Sequence, residues 1–354
     1  MTCDQLENKG DFSLKSQKIF QILFWTFLFL LPFGLTQNCY GEMGDGLSTA
    51  ERESGWQVIS LNVNGVQRWS RVYTPKNLPR NAPTVLLLHG GTQSMDKIFQ
   101  PNAGGTLEWP ILAEQEKFLL LAPNGTNATT GDPLGDKQGW NDLRPSPTYG
   151  KPEADDVGFV KALLDWSEQT YATDPRKVYA TGSSNGGLMT YRLLLEIPDR
   201  IAAGAAFIAN FPSESRFLNS SSPPRPIMIV NGTQDPLIPW NGGSIEGGRG
   251  KVFSAQETAA WWVKHNRADS GRAQEQMIAD SSPNDSCSLY QTSYPASSGG
   301  APVVFIKMDG GGHSQPSQKH LLPDTRMVRR FLGPSCQATE GAVLTWKFLK
   351  DFHL

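Results

Sequence analysis

The chain has 354 residues, 38% hydrophobic and 19% charged, with 32 Lys and Arg against 34 Asp and Glu. That length suits one large α/β domain, and a net charge of −2 without a basic tract argues against nucleic-acid binding through a charged face. With neither a Cys/His cluster at metal-ligand spacing nor a phosphate-binding Gly-rich loop, no metal or cofactor is expected.

In chain order, Lys9, Lys15 and Lys18 precede an apolar run over 19–35 rich in Phe, Leu and Ile. This reads as the charged and apolar parts of a targeting segment. The run is short against the roughly 20 residues of a spanning helix. Residues 1–41 are therefore expected to be a cleaved secretory signal, with an uncleaved membrane anchor as the alternative, and the protein is expected outside the cytoplasm. Cleavage near Gly41 removes Cys3 and Cys39 and leaves Cys287 and Cys336. An even pair in an exported chain predicts one disulfide, the alternative being two free buried thiols. Five Asn-x-Ser/Thr sequons occur, at Asn124, Asn127, Asn219, Asn231 and Asn284.

A polar linker over 42–55 leads into a single domain over 56–354. Its first element is a hairpin, 56–63 and 66–73, turning at Asn64-Gly65. Short apolar runs then predict strands over 84–89, 118–123, 177–181, 202–208, 226–231 and 303–308. Helices are expected over 155–171, 185–197, 255–265 and about 339–352. Asp155 and Asp156 read as capping charges at the first of these helices. An antiparallel hairpin followed by β/α alternation predicts a doubly wound, mostly parallel sheet. Only 210–225 could form a cap between neighbouring strands, so no large lid is expected and the cleft should be open to a bulky or polymeric substrate.

The chemistry concentrates at strand ends. The strand over 177–181 runs into Gly182-Ser183-Ser184-Asn185-Gly186, and a helix-forming stretch follows at once. In that strand–turn–helix setting Gly-x-Ser-x-Gly forms a nucleophile elbow. It makes Ser184 the expected nucleophile of a serine hydrolase. The motif is short and the chain has 35 glycines, so it needs support. Asp235 lies just past the strand over 226–231, where open α/β sheets place functional groups; the alternative is that it only shapes an Asp-Pro turn. His313 follows the last strand across Gly310-Gly311-Gly312, a setting that none of the other four histidines has. His265 lies in a helical run, His320 and His353 are expected to face solvent, and His89 reads as a structural hydrogen-bonding group. Ser184, Asp235 and His313 run in the order of the α/β-hydrolase fold. That fold takes one oxyanion-hole N–H from the residue after the nucleophile, here Asn185. A second comes from the loop after the His89-Gly90-Gly91 strand, with Gly91 expected and Thr92 the alternative. Trp140 and Trp240 are candidate stacking platforms for a sugar or aryl ring, each with core packing as its alternative.

The chain resembles the secreted poly(3-hydroxybutyrate)-depolymerase-type esterases, which include feruloyl and acetylxylan esterases of plant-biomass breakdown. The resemblance rests on Leu88-His89-Gly90-Gly91, Gly139-Trp140-Asn141, Asp155-Asp156-Val157-Gly158-Phe159, the run from Asp174-Pro175-Arg176 through Ser184-Asn185-Gly186-Gly187, Asn231-Gly232-Thr233 with Asp235-Pro236, and Gly311-Gly312-His313. It covers the chain from about residue 56 onward. It implies the α/β-hydrolase fold, an ester substrate, and a triad on Ser184, Asp235 and His313. One departure is Ser314-Gln315-Pro316-Ser317, where the family often has Trp-Pro-Gly after the histidine. A peptidase on the same fold, or a non-catalytic carbohydrate-binding relative, are the competing readings.

Overall fold

Asn64 and Gly65 adopt φ of 52° and 84°, the positive pair that a two-residue hairpin turn requires. They join β1 (Trp56–Val63) to β2 (Val66–Tyr73) in antiparallel register. The computed structural model describes residues 54–145, 153–245, 248–280 and 287–354. The chain divides into Met1–Met43 and Gly44–Leu354. The expected signal over 1–41, most of the linker and the sequon at Asn284 lie outside the described residues.

Five strands follow as continuous apolar runs or nearly so: β3 (Thr84–Leu88), β4 (Leu119–Pro123), β5 (Val178–Ser183), β6 (Ala203–Phe207) and β7 (Ile227–Gly232). They are buried almost throughout, as parallel strands covered by helices on both faces must be. A two-stranded ribbon, β8 (Gly243–Ser244) and β9 (Lys251–Val252), precedes β10 (Gln274–Ala279), β11 (Ser288–Tyr294) and β12 (Val303–Asp309). The main sheet has ten strands in the order β1-β2-β4-β3-β5-β6-β7-β12-β11-β10. From β4 through β12 the neighbours are parallel. The antiparallel pair β11–β10 extends the far edge beyond the expected strands.

The helices are α1 (Glu108–Glu116), α2 (Asp156–Tyr171), α3 (Asn185–Glu196), α4 (Ala255–His265), α5 (Arg326–Leu332) and α6 (Gly341–Leu349). Nearly every residue of α3 is buried, the mark of a helix enclosed on all sides. α4 starts at a capping box, Ser254 accepting from the Glu257 N–H while the Glu257 carboxylate accepts from the Ser254 N–H. Asp155 caps α2, accepting from the Gly158 N–H at 2.8 Å. Asp156 does more than cap: it is fully buried, 2.6 Å from the Arg68 guanidinium, and accepts from the Asn141 N–H at 2.7 Å. In α5, by contrast, no residue is buried, and Met327 and Phe331 are 70% and 57% exposed. The expected cysteine pair is bonded: Cys287 and Cys336 form a disulfide across 49 residues.

Candidate active site

Because β5, β7 and β12 run parallel, their carboxyl ends share one edge of the sheet, and Ser184, Asp235 and His313 follow those three ends. Ser184 holds φ 56°, ψ −121° between β5 and α3. A non-glycine residue in such a region costs on the order of 1–3 kcal/mol and persists only where its surroundings impose it. Here the surroundings are backbone. A Cβ on Gly182 would stand 2.6 Å from the Gly186 carbonyl, and one on Gly186 would stand 2.2 Å from Leu88 O. The Ser184 N–H is meanwhile held by Phe207 O of β6 at 2.9 Å.

Asp235 and His313 meet directly, Nδ1 of the histidine lying 2.7 Å from Oδ2 of the carboxylate. The other oxygen, Oδ1, accepts from the N–H groups of Leu237 and Ile238 at 2.8 and 2.9 Å. Asp235 therefore shapes its turn and faces the imidazole at once. The His313 N–H donates to Leu332 O at 2.5 Å. Ser184 and His313 line one open cavity of about 370 Å³ together with Gly90, Gly91 and Thr92, with no direct hydrogen bond between the two side chains. Such contacts commonly tighten only when substrate binds. A larger space, about 660 Å³, lies between the loop before β7 and the end of α4. It holds no comparable Ser–His–Asp grouping, so size does not locate the site.

Of the two expected oxyanion donors, Gly91 lines the cavity with Ser184. Asn185 opens α3, where first-turn N–H groups have no intrahelical acceptor and the helix dipole is positive. Its side chain is pinned: Oδ1 accepts from the Trp140 N–H at 2.7 Å, and Nδ2 donates to Trp140 O at 3.1 Å and to Asp142 Oδ2 at 2.6 Å. Asp142 is in turn paired with Arg144 inside the protein.

Trp140 is not a platform, and that expectation is corrected; Trp240 lies outside the lining of the Ser184 cavity. Trp140 is fully buried. Its indole N–H donates to His89 O at 2.8 Å, and its ring packs on the His89 imidazole at 4.7 Å. Its place is beneath the elbow, as a strap for Asn185. Trp240 stacks on Phe305 at 5.9 Å and lines a separate groove with Tyr290 and Tyr294. His89 is fully buried; burial lowers its pKa from 6.5 to about 4. With Nδ1 facing Gly90 O and Nε2 accepting from the Gly125 N–H, it is a neutral brace. His320 does not simply face solvent but lies 3.0 Å from the buried Glu108 carboxylate.

Reasoning from sequence missed two residues lining the cavity, Gln315 and Arg249. Gln315 is 7% exposed and donates to Ser183 Oγ at 2.9 Å. Its place in the run Ser314-Gln315-Pro316-Ser317, where the sequence departs from the family it resembles, was the available signal. Arg249 sits between two positive-φ glycines, Gly248 and Gly250, with no motif to mark it. Two sequon asparagines are also not surface groups: Asn124 and Asn231 are buried, 0% and 4% exposed. Both spend their amides inside the protein.

The sheet order and the strand–elbow–helix junction define an α/β-hydrolase fold, and a solved structure, native sOPH, aligns over 74% of this chain and 82% of its own with a TM-score of 0.50 at 15% identity. No family model matches the chain. Among curated proteins, NocK of Nocardia uniformis subsp. tsuyamanensis, named as an esterase, is 30% identical over 249 residues, covering 68% of this chain and 67% of NocK. Feruloyl esterase B of Piromyces equi is 30% identical over 230 residues, 62% of this chain and 39% of that protein. Further relatives are named acetylxylan esterase and poly(3-hydroxybutyrate) depolymerase. The chain belongs to this esterase family and is an enzyme of the ester-hydrolase class. Apart from NocK, these relatives are matched over less than two thirds of their own length: 23% of the acetylxylan esterase/xylanase and 30% of the depolymerase.

Proposed function

We propose that the protein is an exported serine esterase acting on polymer-derived esters, with Ser184 as nucleophile, His313 as base and Asp235 as the group that orients His313. The observation that carries this is the His313–Asp235 pair at 2.7 Å, sharing a cavity with a serine held at φ 56° on an elbow.

In the first half-reaction His313 Nε2 takes the Ser184 proton as Oγ attacks the ester carbonyl carbon. The carbonyl electrons move to oxygen, where the N–H groups of Asn185 and Gly91 receive them. Collapse breaks the bond to the alcohol, which leaves with the proton from His313. Water then attacks the acyl-enzyme by the same route and frees the acid. Asp235 keeps Nδ1 protonated and stabilises the imidazolium, and its two backbone donors hold it in place for that task.

The rim supports a bulky substrate. Leu322 and Leu332 line the cavity, and Leu321, Met327 and Phe331 stand exposed in the same stretch. Feruloyl or acetyl esters of plant polysaccharide and polyhydroxybutyrate fit an open cleft of this kind. Export, with 1–41 removed, 42–55 as a linker and 56–354 as the enzyme, is supported by the disulfide, which belongs to oxidising compartments.

The test is hydrolysis of methyl ferulate, acetylated xylan, hydroxybutyrate oligomers and p-nitrophenyl acetate by protein lacking residues 1–41, with Ser184→Ala as control. The substitution is expected to remove roughly 10⁴-fold or more of turnover. Wild-type turnover in that variant sinks the assignment of Ser184.

A further inference from the structure

The loop carrying His313 is held by a stretch of chain outside the triad strands. His313 N–H donates to Leu332 O at 2.5 Å, Gly312 N–H to Pro334 O at 2.7 Å, and Ser317 N–H to Cys336 O at 2.9 Å. The segment Leu332–Cys336 also touches the Asp235 loop. A Cβ on Gly333, which has φ 73°, would lie 2.6 Å from Gln234 O, 3.0 Å from Gly312 Cα and 3.2 Å from Pro236 Cδ. Gln234 N–H in turn donates to Gly311 O at 2.9 Å. The segment is thus wedged against both the acid loop and the histidine loop.

Hydrophobic burial holds only the far end of the segment, where Cys336 sits in an apolar cluster with Phe207 and Met228. The helix that delivers it, α5, buries none of its residues, so the near end depends on the backbone hydrogen bonds to the histidine loop. Its covalent tether is the disulfide. Cys336 is bonded to Cys287, both buried. Cys287 immediately precedes β11, whose first residue Ser288 pairs with Asp309 at the end of β12. Gly311 passes close enough that a Cβ there would stand 3.3 Å from Cys287 Sγ.

We infer that the Cys287–Cys336 bond and the Leu332–Cys336 segment form a positioning clamp that holds His313 against Asp235, so that turnover depends on the bond more than folding does. The inference rests on His313 being the catalytic base. Displacing a catalytic group by about 1 Å can cost on the order of a hundredfold. The variant Cys287→Ala/Cys336→Ala is therefore expected to lose about tenfold to a hundredfold in kcat on p-nitrophenyl acetate with KM little changed. It should still melt cooperatively.

A second readout does not need turnover. The low-field proton NMR signal of the His313–Asp235 hydrogen bond should broaden or vanish in the cysteine variant, measured in a Ser184→Ala background. Gly333→Ala keeps the disulfide and forces the wedge apart. It should reproduce the kcat loss, and should add little to it in the cysteine variant, because both changes act through one segment. A folded cysteine variant with wild-type kcat and an unchanged NMR signal overturns the clamp. If that variant does not fold, wild-type kcat and signal in Gly333→Ala overturn it instead. Activity surviving in Ser184→Ala alone would strike the nucleophile assignment and leave the clamp to be judged by the NMR signal.

Discussion

The two halves of the candidate site are built on different principles. The Ser184 half is made by backbone against backbone: Gly182 and Gly186 clear the elbow, Phe207 O holds it, and the buried α3 follows at once. The Asp235–His313 half is assembled from loops 78 residues apart, wedged by a third segment that a disulfide carries in. One half is rigid because nothing else fits. The other is rigid because it is tied. Local sterics therefore protect the nucleophile, while the base depends on contacts that a distant substitution can undo.

Three substitutions sharpen this contrast. Asp235→Asn, on the tied side, should leave the fold intact, since the side-chain oxygen can still accept from Leu237 and Ile238. It should nevertheless cost roughly 10³- to 10⁴-fold in kcat, because the imidazole loses its charged partner and its tautomer. Steady-state kinetics beside a thermal melt reads both quantities, and a loss of only a few fold would show that the pair is not used in turnover. Gly186→Ala, on the steric side, should do the reverse and damage the fold first. Its methyl would stand 2.2 Å from Leu88 O and 2.5 Å from His89 O, an overpacking cost of at least about 1–3 kcal/mol. The expected result is a lowered denaturation midpoint with activity falling in step; an unchanged midpoint would contradict the close approach.

The smallest effect concerns pH. Folding lowers the His89 pKa from 6.5 to about 4 through burial. Between those values the unfolded chain binds a proton that the folded chain does not. Stability should therefore fall as pH drops from about 6.5 towards 4, and be unaffected by this group above that window. Replacing His89 with Gln should flatten that part of the stability–pH curve. A curve of unchanged slope would remove His89 from the acid response.

The steric half was also the legible half. Gly-x-Ser-x-Gly between an apolar strand and a helix is a local pattern, and the buried parallel strands declare themselves as unbroken apolar runs. Asp235 and His313 could be read because each follows such a run. What lay beyond reach has physical causes. α1 carries Pro110 in its first turn and a weak apolar pattern. β10 is an edge strand exposed over most of its length, so its sequence reads as surface. α5 buries nothing and leaves no periodic stripe. The burial of Trp140 was out of reach because a tryptophan next to a motif looks the same whether its ring meets solvent or disappears beneath a histidine. The wedge at Gly333 is invisible because its partners, Gln234 and Gly312, are remote in sequence or share no motif with it.

The buried sequons bear on how the protein can be made. Asn231 closes the β7 end with its amide on Asn210, and Asn124 holds two carbonyls of the loop over 133–135. An oligosaccharide transferred to either amide while the chain is still unfolded would have no exit from these positions. In a host that glycosylates its exported proteins, each occupied chain would be locked out of the native structure, so yield would be set by competition between the transferase and collapse of the sheet rather than by stability. Asn127 and Asn219, which lie nearer the surface, can carry sugar without that penalty.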